Sequence, residues 1–316
     1  MKKAFEKLNL RDYGVLLGFL ALCIAISIAT PSFLGKQNIL NLLRQSSIIG
    51  IISAGMTFVI ISGNFDISVG AVAALAGAIT MKFATGGTNL FASMFLGVAI
   101  CAVIGLINGI VVAKINVPSL IATMAMVTIV RGLLLMLTGG YPITENIPIL
   151  DYIGNGYLFN IPIPVVIFFI VVLASFIVLN KTKFGRYVYS VGGNQEASKL
   201  NGINVDSHKV KVFIINAVLA GIAGIVLTGR LGTATAIAGE GYDMDAIASV
   251  VIGGTSVAGG SGSVLKTVIG GLLMSVINNS FNLLGIDVYF QYIFKGLIIL
   301  AAVGFDSYSK KKLASR

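Results

Sequence analysis

The residues that could do chemistry are few, and they sit in or beside long apolar stretches. Asp66 lies near the start of FDISVGAVAALAGA (65–78), and Asp243 near the start of YDMDAIASVVIGG (242–254). Two interpretations stay open. These carboxylates cap helix N-termini, or they form a polar gate or accept hydroxyl groups inside a membrane, where ionisable groups are costly and often functional. The candidate path or gate residues are Ser62, Asn64, Asp66, Ser68, Asp243 and Asn278.

The remaining reactive side chains do not suggest catalysis or metal binding. His208 is the only histidine, and no nucleophile is spaced to pair with it. Cys23 and Cys101 both fall in apolar stretches, so neither a disulfide framework nor a metal site is predicted. GGSGSVLKT (259–267) has Leu where a phosphate-binding loop needs Gly before Lys, so it predicts a turn. We therefore expect no enzyme activity, no ATPase site and no cofactor in this chain.

Two cations also fall within apolar stretches. Lys295 is predicted to reach the membrane interface along its flexible stem. Arg131 has no partner that the sequence identifies, and one arginine is weak evidence for an anion site.

The amino-acid composition predicts the kind of fold that positions these polar side chains. Hydrophobic residues make up 56% of the chain and charged residues only 11%, against about 25% charged in soluble domains. Mean hydropathy is +0.96, and a membrane helix needs about 20 apolar residues. The chain is therefore predicted to be an all-α polytopic membrane protein with about ten transmembrane helices. The predicted spans are 13–33, 46–62, 67–85, 90–113, 119–138, 161–179, 210–229, 244–258, 264–285 and 288–305.

The net charge of +10 is distributed unevenly along this topology. With the N-terminus inside, most of the 22 Lys and Arg residues fall on the cytoplasmic side, whereas loops 139–160 and 230–243 carry mainly acids. This bias predicts that both termini are cytoplasmic, and the charge does not indicate nucleic-acid binding. The cytoplasmic cations are Lys2, Lys3, Lys7, Arg11, Lys114, Lys181, Lys183, Arg186, Lys199, Lys209, Lys211, Lys266, Lys310, Lys311, Lys312 and Arg316.

Faint internal similarity suggests a repeat. Residues 65–78 resemble 242–254, and INGIVVAKINV (107–117) resembles INNSFNLLGIDV (277–288). The copies begin an odd number of spans apart, so they would be inverted, as in many transporters. Chance stays an alternative, because small residues recur in membrane helices generally.

A polar segment, GRYVYSVGGNQEASKLNGINV (185–205), interrupts the apolar pattern. Asn194 is a good N-cap, Gly202 a good helix stop, and Ala197 and Leu200 share one helical face. Spacing alone leaves two interpretations: a solvated loop, or a short cytoplasmic helix that fits a groove on another protein. The candidate contact residues are Gly193, Asn194, Glu196, Ala197, Leu200 and Gly202.

Four stretches carry a family resemblance that covers about residues 15–305. SGNFDISVGA (62–71) resembles the Gly-Gly-Ile-Asp-Leu-Ser-Val-Gly stretch of the ribose-type, binding-protein-dependent ABC sugar permeases. FGRYVYSVGGNQEASKLNGINV (184–205) resembles their cytoplasmic loop, and GEGYDMDAIASVVIGGTSVAGGSGSV (239–264) their third signature. TPSFL (30–34) is similar to their first loop. Asn64-Phe65 departs from the usual Gly-Ile, which leaves the local geometry of the path open.

The resemblance implies a permease subunit of a monosaccharide importer in a bacterial inner membrane. It implies one transmembrane domain, 1–316, with the ten-helix fold of the cobalamin-type (type II) importers and a coupling loop at about 181–209. An extracytoplasmic sugar-binding protein would deliver the solute. Two permease subunits, expected to be a homodimer, would form the path. ABC ATPase subunits would bind ATP and Mg. Ribose is the expected sugar, with another sugar or a sugar-like signalling furanone left open. An ion-coupled secondary transporter of a small polar solute is the alternative, and an intramembrane enzyme ranks last.

Overall fold

The computed structural model describes residues 10–314, with side chains described from 15 to 304. The described chain is helical apart from loops and two strand pairs. The helices are α1 (Leu10–Ala29), α2 (Lys36–Ile61), α3 (Val69–Thr85), α4 (Leu90–Ala113), α5 (Ser119–Thr138), α6 (Pro148–Asn155), α7 (Ile163–Lys181), α8 (Lys183–Gly193), α9 (Gln195–Leu200), α10 (Val205–Leu231), α11 (Tyr242–Ile252), α12 (Val264–Leu283) and α13 (Val288–Ala314). A 3₁₀ turn, Pro31–Leu34, follows α1. The predicted charges at Lys2, Lys3, Lys7 and Arg316 lie outside the described residues.

Proline placement and caps explain where helices start and stop. None of the six prolines lies in a helix interior, where a missing N–H and a steric clash would break the helix. The Asn89 side chain accepts the N–H groups of Phe91 and Ala92 at the start of α4. Gly139 ends α5 and Gly232 ends α10 in the left-handed conformation that glycine favours.

One helix lies in each of the ten stretches predicted to span the membrane, but their lengths differ. Six are long and apolar enough to cross a membrane: α2, α4, α5, α7, α10 and α12. Three shorter apolar helices cover Val15–Ala29, Val69–Thr85 and Val288–Gly304. The helix in stretch 244–258, α11, has only 11 residues and ends at Ile252. The chain is a multi-pass membrane protein, and the count of ten spans stays a prediction.

Helix α10 lies at the centre of the molecule, packed against α2, α3, α4 and α6. Glycine permits this closeness: a Cβ on Gly224 would collide with the backbone of Ala73 in α3. A Cβ on Gly105 in α4 would lie 2.6 Å from the carbonyl oxygen of Phe213. Such backbone-to-backbone contacts are how small residues hold membrane helices together.

Short strands and helices mark opposite ends of α10. Strand β1 (Ile143–Thr144) pairs antiparallel with β4 (Thr233–Ala234), which joins the loop after α5 to the loop after α10. Strands β2 (Tyr157–Leu158) and β3 (Ile161–Pro162) form a small hairpin before α7. Helices α8 and α9 precede α10 and therefore lie at its other end. The two loop regions that sequence assigns to opposite membrane faces are thus separated by the length of α10.

Candidate functional site

The chain leaves helical geometry between α2 and α3, over residues 62–68. The N–H of Phe65 donates to Ser119 Oγ at 3.1 Å, and the N–H of Ile67 donates to Thr123 Oγ1 at 3.2 Å. Ser119 and Thr123 are one turn apart on α5, so one helix face supplies both acceptors. Non-helical backbone is tolerated at membrane depth only when such groups satisfy it. The sequence did not predict these two partners, since isolated hydroxyls on an apolar helix carry no distinct signal.

Asp66 is buried within this segment and fully engaged. Its Oδ1 accepts from the N–H and hydroxyl of Ser68, and its Oδ2 accepts from Asn216 Nδ2 at 2.9 Å. The N-cap position of α3 is Ser68, and Asp66, two residues earlier, accepts the Ser68 N–H and closes the turn that leads into the helix. Asp243 lies in the first turn of α11, where a carboxylate is favoured by the helix dipole, and the N-cap position itself is Gly241. Asp66 therefore ties the unwound segment to the centre of α10.

A second buried carboxylate, Asp245, lies on α11. Its Oδ2 accepts from Asn278 Nδ2 of α12 and from Lys295 Nζ of α13, each at 3.1 Å. Lys295 was predicted to reach the membrane interface along its stem; the structure shows that its ammonium pairs with Asp245, a partner that the sequence did not identify. Three helices are joined at this one carboxylate.

The two polar clusters correspond through the internal similarity. Aligning 65–78 with 242–254 matches Ser68 to Asp245, and aligning 107–117 with 277–288 matches Asn108 to Asn278. Asn108 Nδ2 donates to Ser68 Oγ at 3.1 Å, and Asn278 Nδ2 donates to Asp245 Oδ2 at 3.1 Å. Matching positions thus form matching hydrogen bonds.

The other candidate path residues divide into two groups. Ser62 donates to Val59 O, and Asn64 donates to the Ser62 carbonyl and hydroxyl oxygens, so both buried side chains are satisfied locally. Asp243 instead is half-buried and lines a cavity. Of the six candidates, Asp243 lies on the wall of this cavity. Their roles in transport stay predictions.

That cavity has a volume of about 600 Å³, within the usual range for small-molecule sites. Its walls come from α5, the start of α3, the loop before α11, the first turn of α11, and α13. The polar lining side chains are Thr128, Arg131, Glu240, Asp243 and Tyr292. Sequence analysis singled out Arg131 and Asp243 separately but could not bring them together. Within the described residues, no cluster of three or more His, Cys, Asp or Glu side chains could hold a metal ion.

Arg131 has partners that the sequence did not reveal. Its Nη1 donates to the carbonyl oxygens of Ala236 and Ala238, the latter at 3.1 Å. Glu240 and Asp243 are its acidic neighbours. The guanidinium of Arg131 thus fixes the loop that covers the cavity. With Glu240 and Asp243 beside it, the cavity wall carries two acidic groups and one basic group.

The polar segment 185–205 folds as two helices. Asn194 caps α9 by accepting the N–H of Ala197 at 2.9 Å, and Gly202 follows the helix with φ +78°, as predicted. Ala197 and Leu200 are exposed, Leu200 by 89%. These contacts confirm the predicted short helix, whose apolar side chains face away from the protein.

Helix α9 is fastened to its neighbours on its other side. Ser198 is buried, and its hydroxyl lies 2.9 Å from that of Ser190 on α8. Lys209 Nζ of α10 donates to Gln195 Oε1 at 2.9 Å. A force on α9 therefore reaches α8 and α10 directly.

The last turn of α8 touches the ends of two other segments. Gly260 N–H donates to Ile61 O at 2.8 Å, and a Cβ on Gly192 would lie 2.7 Å from Gly260 N. Tyr189 donates its hydroxyl to Gly262 O at 3.0 Å, and burial raises the pKa of Tyr189, which keeps this donor protonated. The polar segment 185–205 is thus joined to the start of segment 62–68. We call the contact of Ile61, Gly192 and Gly260 the glycine junction.

Comparisons with known proteins identify the family of this chain. A family model described as "Branched-chain amino acid transport system / permease component" matches residues 38–303. The chain belongs to this permease family. Family membership makes it a membrane transport subunit rather than an enzyme, one component of a larger transport system.

Similar relatives of this permease match nearly end to end. The ribose import permease protein of Haemophilus influenzae is 44% identical over 303 residues, covering 93% of this chain and 94% of the relative. Those of Bacillus subtilis and Escherichia coli K12 are 42% and 39% identical, covering 94% and 97% of this chain and 93% and 97% of the relatives. No solved structure matches the permease.

Proposed function

We propose that this permease is the transmembrane subunit of an ATP-driven ABC importer that moves ribose into the cytoplasm. The observation that carries the proposal is the similarity, over more than nine-tenths of the chain, to ribose import permeases. The lining of the 600 Å³ cavity supports a neutral polyhydroxyl solute. The carboxylates of this lining can accept hydrogen bonds from sugar hydroxyls, and its hydroxyl groups can both donate and accept them. The lining carries more negative than positive charge, which disfavours an anionic solute.

The proposal includes a topology. Ten spans place both termini in the cytoplasm of a bacterium, in a cobalamin-importer-like arrangement within the inner membrane, with 1–316 as one transmembrane domain. The matching bonds Asn108–Ser68 and Asn278–Asp245 support an inverted repeat of α3–α5 and α11–α13. The short α11 fits the broken helices found near the midplane of repeat-built transporters.

The proposal also assigns partners. An extracytoplasmic sugar-binding protein delivers ribose, a second copy of this chain completes the path, and two ABC ATPase subunits bind ATP and Mg. The loop at 181–209 docks on the ATPase through α9. Its exposed Leu200 and its anchors to α8 and α10 are what a coupling helix needs to transmit closure of the ATPase.

Uptake of labelled ribose into proteoliposomes tests this proposal. The permease is reconstituted with its ATPase and binding protein, with ATP either enclosed or omitted, and labelled leucine serves as the solute that the family description suggests. We expect ribose uptake that requires ATP and all three proteins. ATP-dependent uptake of leucine, another sugar or a furanone would correct the solute. Uptake by the permease alone, driven by an ion gradient, would show a secondary transporter instead.

A further inference from the structure

We propose that the 600 Å³ cavity is the solute subsite of the permease, in which Asp243 and Glu240 accept solute hydroxyl groups and Arg131 is a positioning residue. This assignment rests on the proposed function and names the residues that would recognise a sugar. We call the lining of this cavity by α5, loop 235–241 and the start of α11 the α5 cavity.

The floor of the α5 cavity is a contact between two backbones. Gly70 at the start of α3 and Gly239 in the loop both line it. A Cβ on Gly239 would lie 2.6 Å from Gly70 O, and Gly239 has φ +68°. The loop therefore reaches down to the start of α3 along a path that only glycine permits. This contact fixes the depth at which the next residue, Glu240, enters the cavity.

The loop is held at its other side by Arg131. The two bonds from Nη1 to Ala236 O and Ala238 O span the residues immediately before Gly239. A guanidinium is planar, with its N–H donors in a rigid fork, so these two bonds fix the loop relative to α5. Lysine could not reproduce the fork geometry. Arg131 thus orients the loop that presents Glu240.

The charges of the lining favour a neutral polyol over an ion. Ionised carboxylates only accept hydrogen bonds, and bonds from hydroxyl groups to them are about twice as strong as neutral ones. Asp243 is fixed in the first turn of α11, and Glu240 lies three residues before it. Arg131 faces both, so one positive and two negative groups surround the space. Thr128 and Tyr292 add neutral hydroxyls on the walls contributed by α5 and α13.

The buried candidates of segment 62–68 are less suited to this role. Both carboxylate oxygens of Asp66 already accept hydrogen bonds, from Ser68 and Asn216, so a solute could bind Asp66 only by breaking those bonds. Ile67 is the residue of this segment that lines the α5 cavity. Solute recognition is therefore assigned to Asp243 and Glu240 rather than to Asp66.

The test compares ribose moved per ATP hydrolysed in the complete reconstituted importer. Asp243→Asn and Glu240→Gln keep the side-chain shape but remove the charge that strengthens the bond. We expect each to lower ribose moved per ATP about tenfold, the effect of losing one charge-assisted hydrogen bond. ATPase stimulation by the sugar-loaded binding protein should stay at the wild-type level, which a misfolded or undocked permease would not show.

Glu145→Gln is the matched control, because Glu145 is an exposed acid beside β1 that lines a separate cavity of about 210 Å³. We expect it to transport like the wild type.

Arg131→Lys should lower the ribose moved per ATP, with less effect than Arg131→Met. Wild-type ratios in both Asp243→Asn and Glu240→Gln, in an importer that does transport ribose, would overturn the subsite while the proposed function stands. A wild-type importer that moves no ribose would overturn both.

Discussion

The ammonium of Lys295 on α13 lies 3.1 Å from Oδ1 and 3.1 Å from Oδ2 of Asp245 on α11. Asp245 is almost fully buried, and the Lys295 side chain is 21% exposed. Because Asn278 binds the same carboxylate, this ion pair joins α11, α12 and α13.

Removing one partner of this pair should destabilise the permease. Lys295→Met leaves a buried carboxylate without its counter-charge, and breaking such a pair typically costs about 3–5 kcal/mol. The expected result is a lower unfolding temperature in detergent. In the double variant Lys295→Met with Asp245→Asn, much of the loss should be recovered, since no unpaired charge remains. A double variant less stable than Lys295→Met would contradict this account.

The glycine junction predicts a sharp difference between two neighbouring residues. A Cβ at Gly192 would collide with the backbone of Ile61, whereas a Cβ at Gly193 would have Gly260 Cα as its nearest neighbour at 3.9 Å. Gly192→Ala should therefore lower the free energy of unfolding by about 1–3 kcal/mol and impair uptake. Gly193→Ala, the matched control for packing, should leave the free energy of unfolding close to that of the wild type. Equal effects in thermal unfolding assays would show that the junction is not as tight as described.

Leu200 tests the coupling role of α9. Leu200→Asp places a charge on the exposed apolar face, so ATPase docking and ribose uptake should both be lost while membrane insertion is retained. Copurification of the ATPase with the permease measures docking. Ile115→Asp changes another exposed aliphatic residue, in the loop between α4 and α5, and should leave docking intact. Unchanged docking in Leu200→Asp would exclude α9 as the contact.

Asp66 is predicted to stabilise the fold by joining segment 62–68 to α10. Asp66→Asn removes the charge and replaces one carboxylate oxygen with an NH₂ group. That NH₂ group would face a donor, either Asn216 Nδ2 or the N–H of Ser68, and one donor would lose its acceptor. Leaving a buried donor unsatisfied costs about 1–3 kcal/mol. Thermal unfolding should show this loss, and Asp66→Ala should cost at least as much. A stable Asp66→Asn variant that fails only in transport would instead support a gate role for Asp66.

The sequence was most informative where structure is local. The start of α9 at Asn194 and its stop at Gly202 depend on residues within one turn, so propensity and capping predict them. The partners of Arg131 lie more than 100 positions away in the chain, and no local pattern points to Ala236 or Ala238. The contacts of Asp245 were missed for the same reason: its partners Asn278 and Lys295 lie 33 and 50 positions away.

Asp243 and Asp245 are two residues apart on α11, so they project to different sides of the helix. Asp243 lines the cavity, and Asp245 turns into the contact with α12 and α13. Only the positions of the neighbouring helices distinguish the two. Asn216 was overlooked because one amide within a long apolar helix looks like any tolerated polar residue until Asp66 is seen beside it.

The close packing of α10 has a mechanical consequence. Where the backbone of α10 touches α3 at Ala73 and α4 at Gly105, neither helix can rotate or slide without a collision. We therefore expect α3, α4 and α10 to move together as one body when the permease changes conformation. Helices α5, α11 and α13, which form most of the walls of the α5 cavity, are then the elements expected to move relative to this body.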